Sequence, residues 1–190
     1  MKEQIIDIHS ELIAKCKKGN KLAQYKLYQL YARAMYNVCL RMVNQEEDAK
    51  DLLQDGFIKV FQHIKTYRYE STFGAWIKRI MINTCLGHLR RNRPDFNQLE
   101  KDMEEIIPDQ QPHADSENLK LEVEKVKKAI KKLPDGYRLV FNLYLLEGYD
   151  HEEISQILGI STSTSKTQYL RAKRKIKDIL SKEVNYGREF

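Results

Sequence analysis

Residues 150–182 leave little choice of local structure. Asp150 precedes an apolar-periodic run and Glu153 follows three positions on, which predicts a capping box and a short helix over His151 to Leu158. Gly159 falls where a left-handed C-cap is needed, and Ile160 follows as an apolar plug. Ser161 then caps a long helix running to about Lys182. Two helices joined by a tight glycine turn make a helix-turn-helix plan. Its packing needs a small residue midway along the first helix, here Ser155. Ile154, Leu158 and Ile160 supply the apolar contacts, while Ser165 stands where a Val or Ile would pack, so one contact is expected to be weak.

The rest of the chain also reads as helix. Only seven valines occur, and Lys, Glu, Leu and Gln are abundant, which favours helix over strand. Ala49, Leu52, Leu53, Gly56, Phe57, Val60, Phe61 and Ile64 recur at the spacing of one buried face, predicting a helix from Gln45 to Ile64. Asn44, with Glu47 behind it, is its expected cap. Before it, Leu27, Tyr31, Met35, Val38 and Met42 predict a helix over Lys21 to Met42, with a break at Gly19-Asn20 and a shorter helix in the first seventeen residues. After it, Ser71 is placed to cap a helix that runs to Arg93 and stops at Pro94. Further elements are expected over Leu119 to Leu133 and Tyr137 to Leu146. The expected fold class is therefore all-α: two small helical domains, 1–94 and 118–190, joined by an acidic linker over 95–117 that holds Pro108 and Pro112.

Charge follows the same division. The net charge is +6 overall, but it runs +8 over residues 1–94, −7 over 95–117 and +5 over 118–190. Basic blocks of this size suit a polyanion, and nucleic acid is the commonest such partner. The acidic strip reads first as a solvated spacer and second as a mask for a basic surface. The richest apolar stretch, Leu139 to Leu146, is broken by Asn142 and falls far short of the ~20 residues needed to span a bilayer, so no membrane insertion is expected. The start, Met1-Lys2-Glu3-Gln4, lacks the apolar segment of a secretion signal. Cys16, Cys39 and Cys85 form no close pair, which suits a reducing compartment and a cytoplasmic protein without a zinc site.

Three constellations carry candidate chemistry. The second helix of the helix-turn-helix opens with short polar side chains, Thr162, Ser163, Thr164 and Ser165, then Lys166, Thr167 and Gln168. Such residues approach base edges without a clash, and recognition helices read bases near their N-terminal ends. Arg171, Lys173, Arg174, Lys175 and Lys177 beyond them suit phosphate. The plainer reading is a solvated amphipathic helix. The second constellation, Thr66 to Trp76, interleaves Tyr67, Arg68, Tyr69, Phe73 and Trp76 beside a helix carrying Lys78, Arg79, Arg90, Arg91 and Arg93, as a surface that stacks unpaired bases would. Phe73 and Trp76, at i and i+3, read first as core, and Tyr67 and Tyr69, outside that face, stand open between the two roles. The third is the row Asp48, Asp51 and Asp55. It could hold a divalent metal in a nuclease, but a solvated or protein-facing surface accounts for it more simply.

The order of these features resembles a known family. Asp51-Leu52-Leu53-Gln54-Asp55-Gly56-Phe57-Ile58-Lys59-Val60-Phe61 resembles the polymerase-binding helix of bacterial sigma factors. Thr72 to Thr84, followed by Leu89-Arg90-Arg91, is similar to their promoter-melting helix. Leu133-Pro134, Glu153-Ile154, Ile157 to Ile160, Lys166 and Arg171 to Arg174 resemble their C-terminal domain. A two-domain chain of this length is similar to the extracytoplasmic-function group. The resemblance implies that Asp51, Gln54 and Asp55 bind core RNA polymerase. It implies that Tyr67, with Arg68, Tyr69 and Trp76, holds a base flipped from the −10 element, and that Arg79 and Asn83 contact DNA beside it. Thr162, Ser163, Thr164, Lys166, Thr167, Arg171 and Arg174 would engage the −35 element. The linker would thread through the polymerase. Core polymerase, promoter DNA and an anti-sigma factor are the implied partners, with no cofactor, metal, small-molecule substrate or catalytic chemistry. Gly87, Tyr69, Ser163 and Ser165 depart from the family pattern. The alternatives are a stand-alone helix-turn-helix regulator and a metal-dependent nuclease.

Overall fold

A computed structural model describes residues 8–92 and 119–186. By their contacts, residues divide into two compact units, Met1–Asn92 and Arg93–Phe190. The described residues hold helices and turns and no strand. The expected linker 95–117, and Arg93 and Pro94 at the expected end of a helix, lie outside them. None of the described helices is long and apolar enough to cross a membrane.

The first unit contains α1 (Ser10–Lys17), α2 (Lys21–Val43), α3 (Glu46–His63), a 3-10 turn (Ile64–Thr66) and α4 (Phe73–Asn92). Helices α2, α3 and α4 pack mutually, and α1 lies on α2 and on the 3-10 turn. The apolar faces read from the sequence converge here: Leu27, Met35, Val38 and Met42 meet Leu52, Phe57 and Val60, with Phe73, Ile77, Met81, Ile82 and Leu89 from α4. Each such side chain, taken fully out of water, contributes about 1.5–3 kcal/mol. Gly56 lets α3 approach α4: a Cβ built there would lie 2.1 Å from the Met81 sulfur. All three cysteines are buried and free. A hydrogen bond that the Cys85 thiol makes to Cys39, reinforced by burial, pushes the Cys85 pKa far up.

Two caps differ from expectation. Asn44 does not start α3. It adopts a left-handed conformation (φ 58°) and closes α2, its N–H donating to the Leu40 carbonyl. Asparagine tolerates that region as well as it caps an N-terminus, and the short α2–α3 connection calls on the first property. Gln45 then precedes α3 without a side-chain cap, and Glu46, Glu47 and Asp48 complement the helix dipole instead. At α4 the cap is Thr72 rather than Ser71. Thr72 Oγ1 accepts from the Ala75 N–H at 3.3 Å, while the Ser71 carbonyl accepts the Tyr67 hydroxyl at 2.7 Å.

The second unit contains α5 (Leu119–Lys131), α6 (Asp135–Phe141) running into a π-helical turn (Asn142–Leu146), α7 (His151–Leu158) and α8 (Thr162–Tyr186). Helix α8 packs against α5, α6 and α7. One core cluster joins Ala129, Leu133, Phe141, Ala172 and Ile176, flanked by Tyr137, Tyr169 and Ile179. Helix α6 begins two residues before the expected Tyr137, because Pro134 sets the turn and Asp135 takes the first helical position. Arg138, only 3% exposed, fixes this corner. Its guanidinium donates to Asp135 Oδ1 at 2.5 Å and to the Leu133 carbonyl at 3.1 Å.

Candidate nucleic-acid interface

The helix-turn-helix forms as its local chemistry dictates. Asp150 Oδ1 accepts from the N–H groups of Glu152 and Glu153, and Glu153 Oε2 accepts from the Asp150 N–H, completing the capping box. Gly159 takes φ 73°, and the Ser155 carbonyl accepts from both Gly159 and Ile160. Ser161 Oγ accepts from the Thr164 N–H at 2.9 Å and starts α8.

The contact expected to be weak at Ser165 is a polar one. Ser165 is fully buried, and its Oγ lies 2.9 Å from His151 Nδ1. The His151 ring stacks on Tyr144 (centroids 4.5 Å apart) and meets Tyr169 edge-on. Burial, and then Lys166, hold the His151 imidazolium below the ordinary 6.5, against the opposing pull of Asp150. The folded unit thus disfavours the protonated ring. Below pH 6.5 the unfolded chain takes up the proton first, so this contribution to stability is complete above 6.5 and declines as the pH falls through the interval beneath it. Melting curves are expected to show a loss of stability of the second unit between pH 7.5 and pH 5.5. In His151→Gln that component of the pH dependence should disappear; a wild-type slope would assign it elsewhere.

Along α8, Thr162, Ser163 and Lys166 are exposed, and Thr164, Thr167, Arg171 and Arg174 are half-buried. Thr162, Lys166, Lys173 and Lys177 follow one another at helical spacing and all are exposed, so polar head and basic tail share a face. The opening hydroxyls are organised: Ser161 Oγ lies 2.7 Å from Ser163 Oγ and 2.8 Å from Thr164 Oγ1. Such a face can present short polar groups to bases and cations to phosphates.

In the first unit, Asp51, Gln54 and Asp55 are exposed on one stripe of α3, and Ile58 continues it at 56% exposure. Ile58 was not singled out from the sequence, although its place off the buried face is the signal that marks it. Asp48 is not part of an open row: it faces His88 on α4 at 3.4 Å. Among the described residues no three potential metal ligands converge.

The aromatic loop divides its residues between core and surface. Tyr67 is 2% exposed, its ring against Phe73 (5.1 Å), Trp76 (5.4 Å) and Tyr69 (4.7 Å). In this conformation it is a floor beneath the loop rather than an open platform. Phe73 is fully buried and Trp76 half-buried, stacked on it. Arg68, Arg79 and Asn83 are exposed, with Trp76, Arg79 and Asn83 on one face of α4.

Tyr69 is half-buried and stands at φ 59°, a left-handed conformation that costs a non-glycine residue ~1–2 kcal/mol. What holds it comes from α1. The Lys17 ammonium lies 4.4 Å from the Tyr69 ring centroid and 5.5 Å from that of Tyr67, and donates to the Tyr67 carbonyl at 2.7 Å. Burial lowers its proton affinity from the usual lysine value. A cation over an aromatic face contributes about 0.5–2 kcal/mol, comparable with the strain. Sequence reasoning missed Lys17, which lies fifty positions from its partner and carries no local signal.

The sigma-70 region 2 family profile matches residues 27–94 and the sigma-70 region 4 profile matches 124–176, together more than half of the chain. The sequence is 29% identical over 188 residues to the extracytoplasmic-function (ECF) RNA polymerase sigma-E factor of Haemophilus influenzae, covering 94% of this chain and 97% of that one. It is 28% identical to the RNA polymerase sigma-H factor of Pseudomonas aeruginosa, with 87% and 90% covered. It is 27% identical to the ECF sigma factor SigW of Bacillus subtilis, with 87% and 92% covered. Among solved structures, the Bartonella quintana sigma factor RpoE, in complex with the anti-sigma factor NepR, has a similar fold (TM-score 0.55, 20% identity, 83% and 96% covered). So does CnrH in complex with the cytosolic domain of CnrY (TM-score 0.53, 24% identity, 90% and 95% covered).

Proposed function

Because the chain belongs to the extracytoplasmic-function group of the sigma-70 family, we propose that it binds core RNA polymerase and directs it to promoters by contacting −10 and −35 elements. One observation supports this reading: the matched regions expose Asp51, Gln54 and Asp55 on α3, Arg79 and Asn83 on α4, and Thr162, Ser163 and Lys166 at the start of α8, each unit over its own apolar core. Residues 1–94 bind polymerase through Asp51, Gln54 and Asp55, and engage the −10 element through Arg68, Tyr69, Trp76, Arg79 and Asn83. Tyr67 supports the pocket from beneath. Residues 118–190 place the first turns of α8, Thr162 to Thr167, in the major groove of the −35 element, with Arg171 and Arg174 on phosphate. The acidic segment 95–117 bridges the two inside the polymerase.

The protein performs no bond chemistry on this reading; nucleotide addition belongs to the polymerase. Its work is strand separation. Extruding a base costs a few kcal/mol of stacking and pairing, which binding of that base and of the single strand offsets. The site of action is the cytoplasm, where polymerase and chromosome meet. A protein that masks these surfaces, of the kind bound to the Bartonella quintana fold relative, completes the set of partners.

Arg171→Ala and Arg174→Ala are each expected to weaken binding of the polymerase-loaded protein to upstream duplex. The slope of log affinity against log salt should fall by about one for each phosphate left without its cation. A potassium chloride titration on a −35 duplex measures it. An unchanged slope would remove that arginine from the DNA surface. Tight, sequence-specific duplex binding by the protein alone would favour a stand-alone regulator.

A further inference from the structure

We propose that Lys17 is a positioning residue for base recognition: it clamps the Tyr67–Tyr69 loop from helix α1 and thereby sets which base the pocket accepts. The inference rests on the reading above, in which that loop takes the extruded base. It goes beyond it, because Lys17 lies ahead of the matched region 27–94 and on a different helix from every residue assigned to DNA.

The geometry is that of a clamp. Helix α1 ends at Lys17, whose side chain is half-buried and reaches across to a loop fifty positions later. Its ammonium holds the loop twice, by the 2.7 Å bond to the Tyr67 carbonyl and by its place 4.4 Å from the Tyr69 ring centroid. Tyr69 is the residue that needs holding. It and Asn44 are the non-glycine residues at positive φ among those described, and Asn44 is a helix cap. A strained residue persists where its surroundings over-determine it, and such residues gather at binding sites. Tyr67 is also anchored through its hydroxyl on the Ser71 carbonyl and its ring on Phe73, so the Lys17 ammonium bears chiefly on the strained Tyr69.

The test uses the full chain loaded on core polymerase. The probe is a pool of fork-junction DNAs randomised over the non-template strand of the −10 region, sequenced after retention. Wild type is expected to enrich one base at the extruded position. Lys17→Met, which keeps the apolar stem, should reduce that enrichment by about fivefold, leaving polymerase affinity and enrichment at duplex positions unchanged. Lys17→Arg, which keeps a cation and donors, should retain most of it. Unchanged enrichment in Lys17→Met beside a discriminating wild type would overturn the proposal alone, as would a general loss of polymerase binding, which would make Lys17 a plain structural residue. A wild-type complex that discriminates at no position would overturn the base-holding role of the loop, and this inference with it.

Discussion

Asp135→Ala is expected to destabilise the second unit by about 3 kcal/mol. The reason is asymmetric exposure. The Arg138 side chain is 4% exposed and its partner Asp135 25% exposed, so removing the carboxylate takes a charged acceptor away from a guanidinium that water cannot reach. The Leu133 carbonyl at 3.1 Å remains, but a neutral acceptor replaces little of a charge-assisted pair. The damage would spread, because Arg138 joins the end of α5 to the start of α6 and both pack on α8. Amide hydrogen exchange in α6 and α8 reads this unit alone and should rise steeply. Asp135→Ala/Arg138→Met should recover much of the loss, since an apolar pair of similar volume tolerates burial. Exchange in the single variant equal to wild type would mean that the other partners of Arg138 suffice.

Tyr67→Ala has the largest expected effect in the first unit. Deleting a buried aromatic ring costs about 3–5 kcal/mol. Here it also removes the surface on which Tyr69, Phe73 and Trp76 meet. Trp76 is the only tryptophan, and its ring centroid is 5.4 Å from that of Tyr67, so its emission reports the collapse directly. Strand opening by the loaded polymerase, followed by permanganate reactivity, should fall at least about tenfold. Tyr67→Phe separates ring from hydroxyl: it loses the bond to the Ser71 carbonyl, about 1 kcal/mol, keeps the ring, and should open DNA nearly as well as wild type. Normal Trp76 emission and stability in Tyr67→Ala, with opening still abolished, would instead place Tyr67 in direct contact with the base.

The contrast between the two halves shows what a sequence makes legible. Every signal in α7, its turn and the start of α8 acts within three or four residues: Asp150 with Glu153, Gly159 with Ser155, Ser161 with Thr164. These interactions form as read because the partners these atoms take among the described residues are all local. The apolar stripes of α2 and α3 were legible from their helical spacing. Asn44 and Ser71 were misassigned where two local roles compete: Asn44 suits either end of a helix, and the Ser71 carbonyl is taken up by the Tyr67 hydroxyl. Tyr67 itself stood open between core and surface, because its burial depends on Phe73 and Trp76 folding back over it. Ser165 was read as a packing defect since its partner His151 is fourteen residues away, and Lys17 was invisible at fifty. The polar residues of the candidate surfaces were legible as residue types; which of them are exposed was settled only by packing.

The most direct measurement is a fluorescence titration of the labelled chain with bacterial core RNA polymerase, run beside Gln54→Ala/Asp55→Ala. Both side chains are exposed on α3, away from its buried face, so the double variant should fold as wild type does. The account predicts tight binding by wild type and a loss of at least about tenfold in the variant, the scale of one or two central interface contacts. Equal binding by both proteins would move the polymerase surface off α3. No binding by the folded wild type would contradict the central claim.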